Sequence, residues 1–384
     1  MRSLRFPFPP VLLALIGVAS GALALGASTL SEKPEPPAQS ASASAASAAS
    51  QGPASSYALP ASEDSGAVAA KPPFASAGGG AFGPEGLGFS RKPRIYPALF
   101  ESMLQDGPKV YGVDESSAKS DSERWALIPA IANNQVLAFY GKPGSKSMGI
   151  LGQYSKEDLA RILEGYAKLY DDQNGDEGVV PAFYLIYGTC WPGGEIGYLK
   201  DSVVEDYIDF AQKRGWLVIL DHQIGKYSVE DAVSRLLPWL KYPNVHIALD
   251  PEWRTESPMK VIGAVTADEI NAAQQSMSEY MGQSGIVGPK MLIVHQFQAK
   301  MISDRDKVRA DYDGVLLVHT ADGFGPPALK KSTYSYNAKA ANMPLKGFKL
   351  FFKTDLEGAG YDEPLLLPAE VLALDPPPRL VIYQ

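Results

Sequence analysis

Eight short apolar runs, rich in β-branched and aromatic residues, recur along the chain at 136–140, 181–187, 217–220, 245–249, 291–294, 315–318, 348–352 and 380–383. Most lack in/out alternation, as expected of strands buried on both faces of a parallel sheet. The intervening segments can hold helices. Ser155 is a plausible N-cap, and Leu159, Ile162, Leu163, Tyr166 and Leu169 follow it at helical spacing. Segments 201–214 (stopped by Gly215), 229–240, 267–281 and 299–310 read as further helices. Segment 326–344 reads as polar and irregular, and only 368–374 is helical in the last crossover. This alternation predicts an α/β fold, a single (β/α)8 TIM barrel over 135–384 whose last run pairs with its first. An open doubly wound sheet is the alternative. No GxGxxG follows the first run and no phosphate loop is evident, so nucleotide folds lose ground and no cofactor is expected.

The remaining sequence suggests an exported protein. Arg2 and Arg5 precede an uncharged, mostly apolar run over 11–27, which contains small-x-small sites at Ala22-Leu23-Ala24 and Ala24-Leu25-Gly26. Residues 1–27 therefore read as a signal peptide or an N-terminal anchor. The expected location is secreted or at the outer face of the cytoplasmic membrane, with membrane contact only through an uncleaved segment. Residues 28–90 are dominated by Ala, Ser, Pro and Gly and read as a disordered linker. Residues 91–134 are expected to form an arm or a cap on the barrel. The 35 Lys and Arg against 43 Asp and Glu leave a net charge of −8, which argues against a nucleic-acid partner. The single cysteine, Cys190, excludes an intramolecular disulfide and any multi-cysteine cluster. It has no evident base beside it and is expected to be inert.

Polar residues gather where the runs end, which is the face where barrels carry their chemistry. Tyr140 ends the first run, and Cys190 and Trp191 follow the second. Asp221, His222 and Gln223 follow the third, and Asp250, Glu252 and Trp253 the fourth. His295 and Gln296 follow the fifth, and His319 and Asp322 the sixth. Asp250-Pro-Glu252 is the sharpest of these signals. Period-two geometry puts both carboxyls on one side of a strand, where they disfavour joint ionisation and one becomes a general acid near neutral pH. The structural alternative is that Asp250 caps the following turn while Glu252 pairs with an arginine. Asp221 repeats the logic on the adjacent strand.

Two resemblances arise from these residues. Ala138-Phe-Tyr-Gly-Lys-Pro143 with Met148-Gly-Ile-Leu-Gly152, Ala248-Leu-Asp-Pro-Glu-Trp253, His295-Gln-Phe297, and Ala373-Leu-Asp-Pro376 with Tyr383-Gln384 resemble a family of exported bacterial TIM-barrel proteins. That resemblance spans strand 1 to the end and implies a shared barrel without naming an activity. Asp-x-Glu closing the fourth run also resembles chitinase-like and muramidase-like glycoside hydrolase barrels. This resemblance implies that Glu252 is the acid and Asp250 its helper. The longer Asp-x-x-Asp-x-Asp-x-Glu series is absent, since Val245 and Ala248 occupy its first two aspartate positions. The resemblance therefore does not extend to a substrate-assisted mechanism.

The expected activity is hydrolysis of a glycosidic bond in an envelope or environmental polysaccharide. Glu252, Asp250 and Asp221 are the expected catalytic groups. Tyr140, Gln223, His295, Gln296, His319 and Asp322 are expected to bind sugar hydroxyls, with Trp191 and Trp253 as stacking walls. Two alternatives stay open: a metal-dependent hydrolase using Asp221, Asp250, His295 and His319, and a non-catalytic carbohydrate-binding or envelope-scaffold barrel. No conventional metal spacing is present.

Overall fold

In the computed structural model, Ile131 and residues 134–384 are described, apart from 176, 287, 288 and 357. The expected signal or anchor, the linker and nearly all of the expected arm lie outside the described residues. Among those residues, no helix is long and apolar enough to cross a membrane.

Eight parallel strands close into a ring. They are β1 (Asn134–Gly141), β2 (Gly178–Cys190), β4 (Leu217–His222), β5 (Val245–Leu249), β7 (Lys290–Gln296), β9 (Val315–Ala321), β10 (Leu345–Leu350) and β11 (Leu380–Tyr383). β1 pairs with both β2 and β11, so the sheet has no free edge between its first and last strands. The fold is the expected (β/α)8 barrel. Two small additions decorate it. β3 (Ile196–Tyr198) folds back antiparallel on β2 as a hairpin, and β6 (Val265–Thr266) pairs with β8 (Ile302–Ser303).

Closure gives each strand two buried faces. Val136, Ala138, Ala182, Leu217, Ile219 and Ile293 belong to the cluster that fills the lumen. Their neighbours Leu137, Phe183, Val218, Leu220, Leu292 and Val294 pack outward against the helices. The helices are α1 (Lys156–Asp171), α2 (Asp201–Gln212), α3 (Val229–Leu236), α4 (Ala267–Ser284), α5 (Pro327–Ala338) and α6 (Pro368–Leu372). Ser155 does cap α1, its hydroxyl accepting from the Asp158 amide. The helix expected over 229–240 is split. Pro238 lacks an amide hydrogen, and the chain tightens into a 3-10 turn over Leu237–Lys241.

Three expectations fail. Segment 299–310 is not an α-helix but a 3-10 turn (Ala299–Met301), the short strand β8 and a second 3-10 turn (Arg305–Lys307). Asp304 is left-handed there, and distant side chains serve the backbone carbonyls. Asn342 Nδ2 donates to the carbonyls of Arg305 and Val308, and Asn271 Nδ2 to that of Lys307. Conversely, the polar stretch after β9 contains a helix, α5. Its buried positions Lys330, Tyr334 and Asn337 are mostly polar, so hydrophobic spacing could not find it. The seventh strand runs Leu345–Leu350, earlier than expected, because Lys346 and Lys349 are buried members of it.

Gly347 faces the lumen beside Thr320, where an added Cβ would come within 2.3 Å of Thr320 Oγ1. Substituting valine should therefore overpack the lumen and cost about 1–3 kcal/mol of stability, read as a lowered urea midpoint. An unchanged midpoint would contradict this packing.

Candidate functional site

Parity along the strands decides which polar side chains enter the upper lumen. Tyr140 follows Val136 and Ala138 inward, and Asp221 follows Leu217 and Ile219. Asp250 follows Ala248, His295 follows Met291 and Ile293, and Asp322 follows Leu316 and Val318. Two residues not picked from the sequence join them, Tyr184 on β2 and Lys349 on β10. All seven are at most 5% exposed, so burial, not solvent, sets their chemistry.

Hydrogen bonds and ion pairs tie this group together. The Tyr140 hydroxyl donates to Asp221 Oδ2 at 2.7 Å, while Asp221 Oδ1 is buried with no hydrogen-bond partner. His295 Nδ1 lies 2.8 Å from Asp322 Oδ2, and its Nε2 lies 2.6 Å from the Tyr184 hydroxyl. A carboxylate only accepts, so the His295 proton on this side belongs to Nδ1. Lys349 Nζ donates to the same Asp322 oxygen at 3.1 Å and sits 4.0 Å from the centre of the Tyr140 ring. The Gly323 amide donates to Asp322 Oδ1 at 2.7 Å.

These partners divide the three acids. Burial alone would raise Asp322, but Lys349 and His295 outweigh it and hold the carboxyl well below the usual range. Lys349 loses proton affinity to burial but recovers more from Asp322, Asp250 and Asp221, so it stays charged. Asp221 and Asp250 lack a comparable cation of their own. Burial pushes Asp221 up to about 6 against the opposing Tyr140 hydrogen bond and Lys349 charge. Burial pushes Asp250 up to about 7, with His295 opposing and Asp221 adding to the rise. Burial and the same two acids drive Tyr140 and Tyr184 well above the ordinary phenol value. The upper lumen thus holds an ionised Asp322–Lys349 pair and two carboxyls able to give or take a proton near neutral pH.

A framework of buried groups steadies the two loops beside it. Lys330 Nζ donates to the carbonyls of Gly323 and Lys349 and faces Asp362 Oδ2 at 3.6 Å. Asp362 in turn accepts from the amides of Gly325 and Phe351, each at 3.0 Å.

The other expected residues lie elsewhere. β5 ends at Leu249, and Asp250 caps a 3-10 turn over Pro251–Trp253, accepting from the Glu252 amide at 3.3 Å. Asp250 is still extended and keeps the inward parity of Ala248, but the chain turns at Pro251, so the period-two argument does not reach Glu252. Glu252 and Trp253 are half-buried on that turn. Trp191 is 38% exposed at the tip of the β2–β3 hairpin, and Gln223 Oε1 accepts from the Cys190 amide at 2.8 Å. Gln296 and His319 share the parity of Val294 and Leu317 and so face the helix layer, away from the lumen. There His319 Nε2 donates to Gln296 Oε1 at 2.8 Å. Burial, with Lys346 and Arg305 nearby, keeps His319 well below the ordinary imidazole value. Their expected contact with substrate is thus corrected to a packing role. The four-residue metal set also loses His319. Among the described residues, no group of three His, Cys, Asp or Glu side chains converges as metal ligands would. Burial raises the Cys190 thiol to about 11, aided by Glu195 and Asp250.

Lys349 gave one signal in the sequence, a lysine inside an apolar strand run. Tyr184 gave none, because aromatic residues are ordinary in strands.

No family model and no curated protein matches the chain. Similar solved structures include 2,3-dimethylmalate lyase of the PEP mutase/isocitrate lyase superfamily, at 12% identity over 66% of this chain and 78% of that one, TM-score 0.37. A family 18 chitinase from Crocus vernus is 11% identical over 65% of this chain and 92% of its own, TM-score 0.39. Endo-glycoceramidase II from Rhodococcus sp. is 15% identical over 66% of this chain and 73% of its own, TM-score 0.35. Likeness at this level says nothing of the chemistry.

Folded-state values above the unfolded one mean that Asp221 and Asp250 bind more protons in the folded chain. Their contribution is complete below about pH 4 and is lost as pH rises to about 6 and 7. Asp322, depressed, contributes in the opposite sense, fully above the unfolded carboxylate value and less as the pH falls below it. Stability measured by urea titration should therefore peak in mild acid. Asp221→Asn should flatten the alkaline side by roughly 2–3 kcal/mol. An unaltered alkaline limb in that variant would refute the burial of an uncompensated acid.

Proposed function

We propose that this chain is an exported glycoside-hydrolase-like barrel that cleaves a glycosidic bond in an envelope or environmental polysaccharide. The reading is carried by one observation: Asp221 and Asp250, on neighbouring strand ends, are buried carboxyls whose proton affinity burial raises, and Asp250 caps the half-buried turn that bears Glu252. Glu252 gives its proton to the bridging oxygen as the bond from that oxygen to the sugar breaks. Asp250 and Asp221 face the positive charge that develops on the ring; a water adds to it and passes its proton to an ionised Asp250 or Asp221 carboxylate, and proton exchange with solvent restores Glu252 for the next turnover. Trp253 shares the turn with Glu252, and Trp191 stands at the tip of the β2–β3 hairpin as a stacking surface. Tyr140, His295 and Asp322 are engaged with protein partners, and buried Gln223 with the Cys190 amide, so they position the site from below and leave the sugar hydroxyls to the rim. The N-terminal sequence supports export.

Burial supports a second reading, a barrel that binds carbohydrate without cleaving it. Tyr140, Asp221, Asp250 and His295 are each at most 2% exposed. A polar network closed to that degree also serves as a packed plug.

Release of reducing ends from a panel of envelope and plant polysaccharides separates the two. The glycosidase reading expects turnover that falls by roughly 10²-fold or more in Glu252→Gln, with unchanged circular dichroism. Turnover equal in both proteins removes Glu252 as the acid. Binding without any released product favours the second reading.

A further inference from the structure

Lys142 and Trp191 meet just past the ends of β1 and β2. Lys142 follows Tyr140 by two residues, and Tyr140 holds Asp221. The Lys142 amine donates to Thr189 Oγ1 at 2.8 Å and sits 4.8 Å from the centre of the Trp191 ring. It is half-buried, and burial lowers its proton affinity.

Other lysines drawn into the fold are supplied with acceptors. Lys290 donates to the carbonyls of Tyr242 and Pro243, and Lys346 to those of Asn337 and Ala340. Lys330 and Lys349 each reach a carboxylate. Lys142 has one neutral hydroxyl and an aromatic face, and no ion pair among the described residues. An ammonium has three donors, so two remain unspent at a partly desolvated position. That is a favourable place for an anion, because charge-assisted hydrogen bonds strengthen as water is excluded.

The aromatic partner is preorganised. The Trp191 amide donates to the Glu195 carbonyl, and the Gly194 amide to the Trp191 carbonyl, each at 2.8 Å. The indole lies over Gly197, where an added Cβ would fall 2.1 Å from its Nε1. Gln223 holds the adjoining Cys190 amide. An indole fixed in this way, still 38% exposed, offers a flat apolar surface of the kind a pyranose ring stacks on.

We infer that Lys142 and Trp191 form a subsite for an acidic sugar, a uronate whose ring packs on the indole and whose carboxylate takes the two free Lys142 donors. This rests on the reading that the rim meets carbohydrate, and it names the substrate class as an acidic polysaccharide.

Titration calorimetry on the full chain carrying Glu252→Gln tests it without turnover. The probes are oligogalacturonates, oligoglucuronates and their carboxyl-reduced neutral counterparts. The acidic forms of at least one series should bind about tenfold more tightly than the reduced forms. Lys142→Met should erase that preference, Lys142→Arg should keep most of it, and Trp191→Ala should weaken acidic and neutral forms alike. Equal affinity for acidic and reduced chains, a preference that survives Lys142→Met, or no binding of any probe overturns the subsite. The glycosidase reading stands or falls separately. Acid preference without product release from the unmutated protein sinks only the glycosidase reading, and product release without acid preference sinks only the subsite.

Discussion

Backbone pairing of β1 with both β2 and β11 closes the sheet on itself. Closure leaves each strand with no solvent-facing side: alternate residues enter either the lumen or the helix layer. A polar side chain at an inward position must then find its partners across the ring. The upper lumen meets this condition with residues from seven strand ends, and its middle is kept small by Ala138, Ala182, Ala248 and Gly347. The small side chains leave room for Tyr140, Tyr184, His295 and Lys349 above them.

The balance of charge in that layer explains why three similar acids behave differently. Lys349 and the His295 Nδ1 both contact Asp322, so the one ammonium in this layer is committed there. Asp221 has a phenol and Asp250 has a backbone amide as their hydrogen-bond donors. Neutral donors offset less desolvation than a contacting cation does, so burial wins at these two positions and loses at Asp322. The acid–base capacity of the site is thus a consequence of unequal sharing of one lysine.

The rim is built on other principles. Its segments are held by individual side chains reaching backbone groups: Gln223 to the hairpin, Lys330 and Asp362 to the loops after β9 and β10. Such loops place groups above a rigid ring without sharing its packing. A barrel with this division can alter what it binds at the rim while the charged layer beneath stays intact.

All eight barrel strands were legible in the sequence, the seventh with displaced bounds, because parallel strands buried on both faces leave short, nearly continuous apolar runs. So was the cluster at their upper ends, and five of the residues chosen there, Tyr140, Asp221, Asp250, His295 and Asp322, do meet. Parity at the strand ends was not legible. Gln296 and His319 sit one residue from inward positions, and a single step along a strand turns a side chain to the opposite face. Buried lysines were also missed: Lys330 and Lys346 look like surface residues until the carbonyls and carboxylate that receive them are known, and Lys349 is marked only by its apolar neighbours. The sequence by itself determined the alternation of strand and crossover and the chemistry available at the rim. The tertiary structure alone decided which acids lie beside a cation and which do not. That outcome depends on distances across a closed ring between residues up to about two hundred positions apart, as with Tyr140 and Lys349, which no local pattern encodes.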